Sequence, residues 1–182
     1  MAPVSKIALL GLALLLAACR SDPIHYHTLI PQQPAPSSSV DIQLERISVP
    51  PQVDRPQMVV RQSNSSLAIL ETEWWGASLA DELQNALVNQ FSASTPSRLG
   101  LRVDVQRFDS VPGQYALFDA QWRLRGANGS DIPMLTCRSV IQTPAGATIE
   151  ELVIAHQQNL KRFTEQVNQA ARNGSRTCPT GH

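Results

Sequence analysis

The side chains that could carry out chemistry are few and widely spaced. The sequence has no G-x-S-x-G nucleophile turn, no P-loop and no paired-histidine zinc motif. His25 and His27 are two residues apart, so on a strand they would share a face, but no third metal ligand lies near them. His156 falls beside the apolar stripe of a predicted helix, where a hydrogen-bonded core histidine is a better interpretation than a catalytic base. We therefore predict a protein that is not an enzyme and that binds neither a metal nor a cofactor.

Cys19 follows a segment typical of a secretory signal. Lys6 supplies a positive charge, and the apolar run from Ile7 to Ala18 is shorter than the about 20 residues needed to span a bilayer, so we expect residues 1–18 to be removed. The run Leu16-Ala17-Ala18-Cys19 resembles the lipobox of bacterial lipoproteins, in which the chain is cut before the cysteine and acyl chains such as palmitate are attached to it. The alternative is an ordinary signal peptide in which Cys19 has no part.

Arg20 bears on which membrane would hold this anchor. In lipoprotein sorting, an acidic residue directly after the cysteine retains the protein in the inner membrane, whereas most other residues allow transfer to the outer membrane. The resemblance therefore implies an outer-membrane lipoprotein whose domain faces the periplasm. Several acyl chains make a lasting anchor, because each buried methylene contributes about 0.8 kcal/mol and one chain alone binds reversibly.

Cys137 and Cys178 remain once Cys19 is assigned to lipid. An exported chain enters an oxidising compartment, where two remaining cysteines are expected to pair. Closing the loop of about 40 residues between them would stabilise the fold by roughly 4 kcal/mol in the chain-entropy treatment. Two free thiols are the alternative, since the sequence does not show that the sulfurs meet.

The charges of the chain are balanced, with 15 basic and 15 acidic side chains. Lys6 is the only charge in the segment expected to be removed, so the remainder lacks the basic excess of a nucleic-acid-binding protein. The length suits one domain with its own core. We assign residues 19–23 to a lipidated tether, 24–173 to the domain, 31–39 to a Pro/Ser-rich loop within it and 174–182 to a tail.

Alternation of apolar and polar residues predicts the strands. Val40, Ile42 and Leu44 alternate with polar residues, and Ile47 resumes the pattern out of phase, which indicates a bulge near Glu45 or Arg46. The longest alternation is followed by the turn signal Asn128-Gly129 and by Pro133, which predicts a hairpin whose return strand starts late or lies at an edge. The other strand candidates and the two hairpin arms are Ile24–Ile30, Met58–Arg61, Leu67–Leu70, Leu101–Val105, Ala116–Leu124 and Met134–Ile141.

Two helices complete the predicted fold. After a candidate N-cap at Ser78, the apolar residues Leu79, Leu83, Leu87 and Phe91 recur every four positions. Thr148 and Glu151 form a capping box that opens a second helix, which ends near Asn173-Gly174. The order of strands, helix, hairpin and helix predicts an α+β two-layer sandwich, with a small, mostly antiparallel sheet and both helices packed on one face.

Trp74 and Trp75 are adjacent just before the first predicted helix. Because neighbouring tryptophans cannot easily both be buried on one face, we predict that one lies in the core and the other contacts a partner or a membrane interface. The alternative is that both lie under neighbouring loops.

The run Asp54-Arg55-Pro56-Gln57-Met58-Val59-Val60-Arg61, followed by Trp74 and the helix at Leu79, resembles the PqiC family of auxiliary lipoproteins. His25-Tyr26-His27-Thr28-Leu29 is similar to the Y-x-L segment that members carry soon after the lipidated cysteine. The strand Ala116–Leu124, its hairpin and the final helix match the rest, so the resemblance covers most of the mature chain. The sequence departs from the family pattern in its Pro/Ser-rich insertion, its tryptophan doublet and its cysteine pair.

The resemblance implies a non-enzymatic auxiliary subunit of an ABC-type transport system. Such a subunit would dock a periplasmic MCE assembly, which moves lipids between the two membranes, at the outer membrane. Self-assembly into a ring would suit a symmetric channel, although the sequence sets no subunit number. The residues expected to bind the MCE subunit are Asp54, Arg55, Pro56, Gln57, Arg61, Trp74 and Trp75.

Two alternatives stay open. The Asp54–Arg61 run may equally serve the fold itself, with Arg61 paired to a carboxylate and no partner bound. In another class of function, the protein would be a lipid carrier with its own apolar cavity of a few hundred cubic ångströms. We prefer the adaptor, because two helices on one small sheet leave little room for such a cavity.

Overall fold

The computed structural model describes residues 22–33, 40–91, 99–126, 133–174 and 177–179. The lipobox, Cys19, Arg20, most of the Pro/Ser-rich loop and the Asn128-Gly129 turn lie outside these residues. The elements within them are β1 (His25–His27), β2 (Ile42–Ser48), β3 (Gln57–Arg61), β4 (Leu67–Trp75), α1 (Leu79–Gln90), β5 (Leu99–Val111), β6 (Tyr115–Gly126), β7 (Leu135–Pro144) and α2 (Ile149–Arg172).

The larger sheet has four strands in the order β2-β5-β6-β7. The pairs β5–β6 and β6–β7 are antiparallel, and β2 pairs parallel to β5. The register of β2 shifts between Leu44 and Arg46, which confirms the predicted bulge. Strand β7 begins at Leu135, two residues after Pro133, and lies at the edge of the sheet, where a missing backbone donor is tolerated.

The smaller sheet has three strands in the order β1-β4-β3. β3 is antiparallel to β4, and β1 runs parallel to it. β4 is longer than the predicted strand Leu67–Leu70, because residues 73–75 pair with β1 and extended backbone continues through Trp75. Local alternation could not indicate this extension, because the parallel partner β1 is distant in sequence.

Both helices begin as the sequence indicates. The Ser78 hydroxyl accepts a hydrogen bond from the amide of Asp81 at the start of α1. At α2, the Thr148 side chain accepts from the amide of Glu151, and the Glu151 carboxylate accepts from the amide of Thr148. Gly174 follows the end of α2 with φ of 68°, a backbone conformation that glycine adopts without steric cost.

The main core lies between the four-stranded sheet and the two helices. Phe163 of α2 packs edge-on against Phe118 and Trp122 of β6, and all three side chains are fully buried. The Trp122 indole N–H is not left unpaired, because it donates to the Ser139 hydroxyl at 2.9 Å. The α+β sandwich is therefore confirmed, and the structure adds that the strands divide between two sheets.

Candidate partner-docking site

In the Asp54–Arg61 run, residues 54–56 complete a tight loop and residues 57–61 form β3; we call the two together the Asp54–Arg61 loop. The amides of Val53 and Asp54 both donate to the carbonyl of Pro50, so the loop turns back on itself. The Asp54 carboxylate accepts from the amide of Ala80 at 3.1 Å, in the first turn of α1. It thereby satisfies a helix N-terminal donor and lies where the helix dipole favours a negative charge.

Arg61, at the end of β3, connects the two sheets. Its guanidinium donates to the carboxylate of Asp109 on β5 at 3.0 Å, and Arg107 donates to the other oxygen of the same carboxylate. Asp109 is almost fully buried, and two guanidinium partners compensate for the loss of its hydration. Arg61 thus has an internal carboxylate partner and holds β3 against β5.

Arg55 and its neighbours are the part of the loop that remains available. Pro56 is exposed, and Arg55 and Gln57 are half-buried. Among the residues that the structure describes, Arg55 has no ion-pair partner, and its buried Nε atom has no hydrogen-bond acceptor. An acceptor from outside the chain cannot reach the buried Nε, so the donors that this half-buried guanidinium offers to a partner are its terminal nitrogens.

Trp74 and Trp75 separate as their adjacency suggested. Trp75 is buried and packs edge-on against Phe108, while its amide donates to the carbonyl of Pro56 at 2.6 Å. Trp74 is half-buried, its indole N–H donates to the carbonyl of Glu71, and its ring packs edge-on against Tyr26. Because Gln57 is the register partner of Trp74, the structure brings the loop and the tryptophan pair together at one place.

The first strand is held by a carboxylate that the sequence analysis did not single out. Glu73 of β4 contacts His25 through Oε1 at 3.0 Å and His27 through Oε2 at 2.5 Å. Burial acts to raise the pKa of the Glu73 carboxyl, but the hydrogen bonds and charges of the two histidines outweigh it and lower the pKa overall. Within the described ranges, no cluster of three or more metal-ligating side chains is found.

Glu82 is the second carboxylate that sequence reasoning missed. Although it lies in the first turn of α1, where an acidic residue usually serves the helix dipole, it is buried. Its Oε2 accepts from the Thr28 hydroxyl and from the amide of Leu29, both at 2.9 Å. The segment that follows β1 is thereby attached to α1, and the fully buried Leu29 is fixed in the core.

His156 is a core residue. It is fully buried, its Nε2 is 2.8 Å from the Ser110 hydroxyl, and its ring stacks on Phe108 with centroids 3.9 Å apart. Burial lowers the pKa of its imidazole to about 3, although the charge of Asp109 acts in the opposite direction. The imidazole is therefore neutral and shielded from substrates, as a structural histidine should be.

Cys137 and Cys178 form a disulfide in the structure. Cys137 lies on β7, so the bond attaches the residues beyond α2 to the edge of the four-stranded sheet. The predicted pairing is therefore present.

A surface groove of about 720 Å³ runs between β7 and the second half of α2. Six of its eight lining residues are polar or charged and the groove is open to solvent, whereas a lipid carrier needs an enclosed apolar cavity. Of the helices that the structure describes, none combines the length and the apolar character of a membrane span. The lining residues of the groove are Val140, Ile141, Gln142, Arg162, Glu165, Gln166, Gln169 and Arg172.

Comparison with solved structures supports the fold. One structure of an uncharacterised protein aligns with a TM-score of 0.67 at 15% identity, covering 82% of this chain and 99% of the other. A Xanthomonas campestris protein of family DUF330 aligns with a TM-score of 0.58 at 20% identity, covering 85% of this chain and 99% of the other. No curated protein matches the sequence.

The family follows from the sequence itself. Residues 27–168 match the family described as "ABC-type transport auxiliary lipoprotein component". This range contains the Asp54–Arg61 loop, both tryptophans, both carboxylates that hold the segment around β1, and most of α2. The match agrees with the predicted PqiC resemblance, and the family's description places such a component beside an ABC-type transporter. The chain belongs to the ABC-type transport auxiliary lipoproteins.

Proposed function

We propose that this protein is an outer-membrane lipoprotein that docks a periplasmic MCE assembly and so completes a lipid transport route between the two membranes. The family supplies the auxiliary role beside a transporter. The lipobox at Cys19 supports a lipid anchor. Arg20, directly after it, supports the outer membrane as the location of that anchor. The proposal adds the partner and the surface that binds it.

The exposed turn at Arg55 and Pro56 carries the proposal. The amides of Val53 and Asp54 donate to the carbonyl of Pro50, and the amide of Trp75, at the end of β4, donates to the carbonyl of Pro56. β1 pairs with residues 73–75 of β4, so the strand that follows the tether lies at the same end of the sheet as this turn. The proposal therefore places the docking surface close to the lipid anchor.

Within this turn, Arg55 is the residue proposed to bind the partner. Asp54 and Arg61 are engaged with Ala80 and Asp109, and Trp75 is buried. Arg55 retains unused donors next to the exposed Pro56. It would bind a carboxylate or a group of backbone carbonyls on the MCE subunit, since a guanidinium recognises such groups through paired hydrogen bonds.

The test is copurification of the mature lipoprotein with the MCE-domain protein from the same genome. We expect Arg55→Ala to reduce the recovered complex at least about tenfold, because a buried, charged hydrogen bond is lost. Arg46→Ala is the matched control, since Arg46 is exposed on β2 and has no ion pair among the described residues. Unchanged recovery with Arg55→Ala, or a fall in its thermal stability that accounts for the loss, would show that the loop serves the fold alone.

The proposed membrane has a separate test. Arg20→Asp places an acidic residue directly after the lipidated cysteine, and we expect the protein to move from the outer-membrane to the inner-membrane fraction on a density gradient. Retention of both the parent and the variant in the inner membrane would contradict the outer-membrane assignment.

A further inference from the structure

The register of the three-stranded sheet brings exposed apolar side chains onto one face. Tyr26 is the partner of Trp74, and Trp74 is the partner of Gln57. Further along β3, the partner of Val59 is Ile69. Side chains of register partners point to the same side of a sheet. The register shifts between the Gln57 and Val59 pairs, and this irregularity offsets the alternation along β4. Ala68 and Leu70 pack on the core before the shift and Trp75 after it, so Ile69 and Trp74 both lie on the outer side. Together with Leu67, the partner of Arg61, these residues form what we call the apolar stripe: the exposed Tyr26, Leu67 and Ile69 and the half-buried Trp74.

The stripe is unusually accessible for apolar residues. Tyr26 is 65% exposed, Ile69 49% and Leu67 40%. Ile24, directly before β1, adds a further side chain at 42%. A group of exposed apolar side chains on one surface indicates contact with a partner or a membrane.

The composition of the stripe fits a bilayer surface. Tyrosine and tryptophan are enriched where the hydrocarbon meets the headgroups, because their rings are apolar and their edges are polar. Trp74 donates its indole N–H to Glu71 within the chain, which holds the ring in place beside Tyr26. Tyr26 lies on β1, the described strand closest in sequence to Cys19.

The length of the tether limits the distance from the membrane. Residues 19 to 25 span at most about 20 Å when fully extended. The headgroup region adds only about 5–7 Å to each side of the hydrocarbon core. β1 is therefore held within a short distance of the lipids whenever Cys19 is inserted.

We propose that the apolar stripe rests in the headgroup region of the bilayer that holds the lipid anchor, and so fixes how the domain lies on the membrane. This inference rests on the proposed lipid anchor at Cys19. The acyl chains provide the attachment, and the stripe provides the orientation.

The test uses the full mature lipoprotein reconstituted into vesicles of phosphatidylethanolamine and phosphatidylglycerol, with and without lipids brominated close to the headgroup. Tyr26→Trp adds a fluorophore to the stripe, and Val140→Trp adds one on β7, at a side chain that is 59% exposed. We expect the added fluorescence of Tyr26→Trp to be quenched at least about twice as strongly as that of Val140→Trp. In the parent, Trp74→Phe should remove most of the quenched signal, because Trp75 and Trp122 are buried.

Other outcomes overturn the inference in distinguishable ways. Equal quenching of the two added tryptophans, in protein that sediments with the vesicles, excludes the stripe but leaves the anchor and docking intact. Loss of MCE copurification on Tyr26→Asp, with equal quenching, assigns the stripe to the protein partner. Dissociation of an oligomer on Ile69→Asp, with equal quenching, assigns it to a second copy. A parent that fails to sediment with vesicles, as a Cys19→Ser variant should, removes the anchor and both proposals.

Discussion

The two sheets are held in the domain by different balances of apolar and polar contacts. The four-stranded sheet packs through large apolar side chains, such as Trp122 and Phe118, that are completely buried against α2. The three-stranded sheet, which carries the candidate site, buries Trp75 and is also held by the hydrogen bonds of Glu73 and the ion pair of Arg61. In the second sheet, directional polar contacts therefore add to apolar burial. Substitutions in the two regions should therefore differ in how far their effects extend.

The largest expected effect comes from the apolar layer. Phe163→Ala removes a fully buried ring between Phe118 and Trp122, and should lower the free energy of unfolding by about 3–5 kcal/mol. Denaturant unfolding measures the change. Ile69→Ala, at an exposed position of the other sheet, is the control and should stay within about 0.5 kcal/mol of the parent. Similar losses for the two variants would contradict the contrast between the layers.

The disulfide should have the next largest effect, because it attaches the tail to β7 of the apolar layer. Reduction of the Cys137–Cys178 bond opens a loop with a sequence separation of 41 and should lower the free energy of unfolding by about 2–4 kcal/mol. Urea unfolding with and without reductant measures this, and thiol labelling under denaturing conditions verifies the redox state. An unchanged unfolding midpoint after complete reduction would show that the bond does not stabilise the domain.

The protonation of His156 probes the contact between the two sheets. Its ring stacks on Phe108 of β5, and Phe108 contacts Trp75 of β4. Its pKa is about 3 in the folded protein, against an ordinary value of 6.5. Below pH 6.5 the unfolded chain therefore binds a proton that the folded state excludes, so stability present above this pH is lost as the pH falls toward 3.

Between pH 6.5 and 5, before the carboxyl groups titrate, the loss from His156 should be about 2 kcal/mol. Urea unfolding across this range measures the slope. His156→Gln removes the titrating group and should abolish most of the slope, whatever its stability at neutral pH. A variant that keeps the full slope would assign it to another group.

The smallest effect is expected in the polar contacts near β1. Glu82→Gln keeps the shape but removes the charge from the hydrogen bonds to Thr28 and Leu29, at a cost of about 1 kcal/mol. Hydrogen exchange at the Leu29 amide should become faster, while exchange in β6 stays unchanged. Glu165→Gln, on the exposed side of α2, is the control. A parallel acceleration in β6 would show that the two regions unfold as one unit.

The parts of the fold that were predicted correctly depend on local patterns. The capping box at Thr148, the N-cap at Ser78 and the bulge after Leu44 each involve residues a few positions apart. Such short-range signals are present in the sequence itself because the interacting groups are neighbours in the chain. The division into two sheets and the extension of β4 were not predicted, since both depend on pairing with strands remote in sequence.

The candidate site was predicted only in part for the same reason. The resemblance identified the Asp54–Arg61 run and the tryptophans, and the structure brings them together. It did not indicate that Asp109 would meet Arg61, or that Glu73 and Glu82 would hold β1 and the segment after it. These carboxylates look like ordinary surface residues along the chain, because nothing local distinguishes a buried acid from a solvated one.

The sequence by itself determined the expected anchor, the elements and the family, since a lipobox, a capping signal and a motif are each written in consecutive or nearby residues. Only the tertiary structure decided which remote segments meet at the candidate site. It did so through the parallel pairing of β1 with residues 73–75 of β4, which depends on backbone hydrogen bonds across 48 positions of the chain. That pairing brings the strand closest in sequence to Cys19 to the end of the sheet where Trp74 pairs with Gln57.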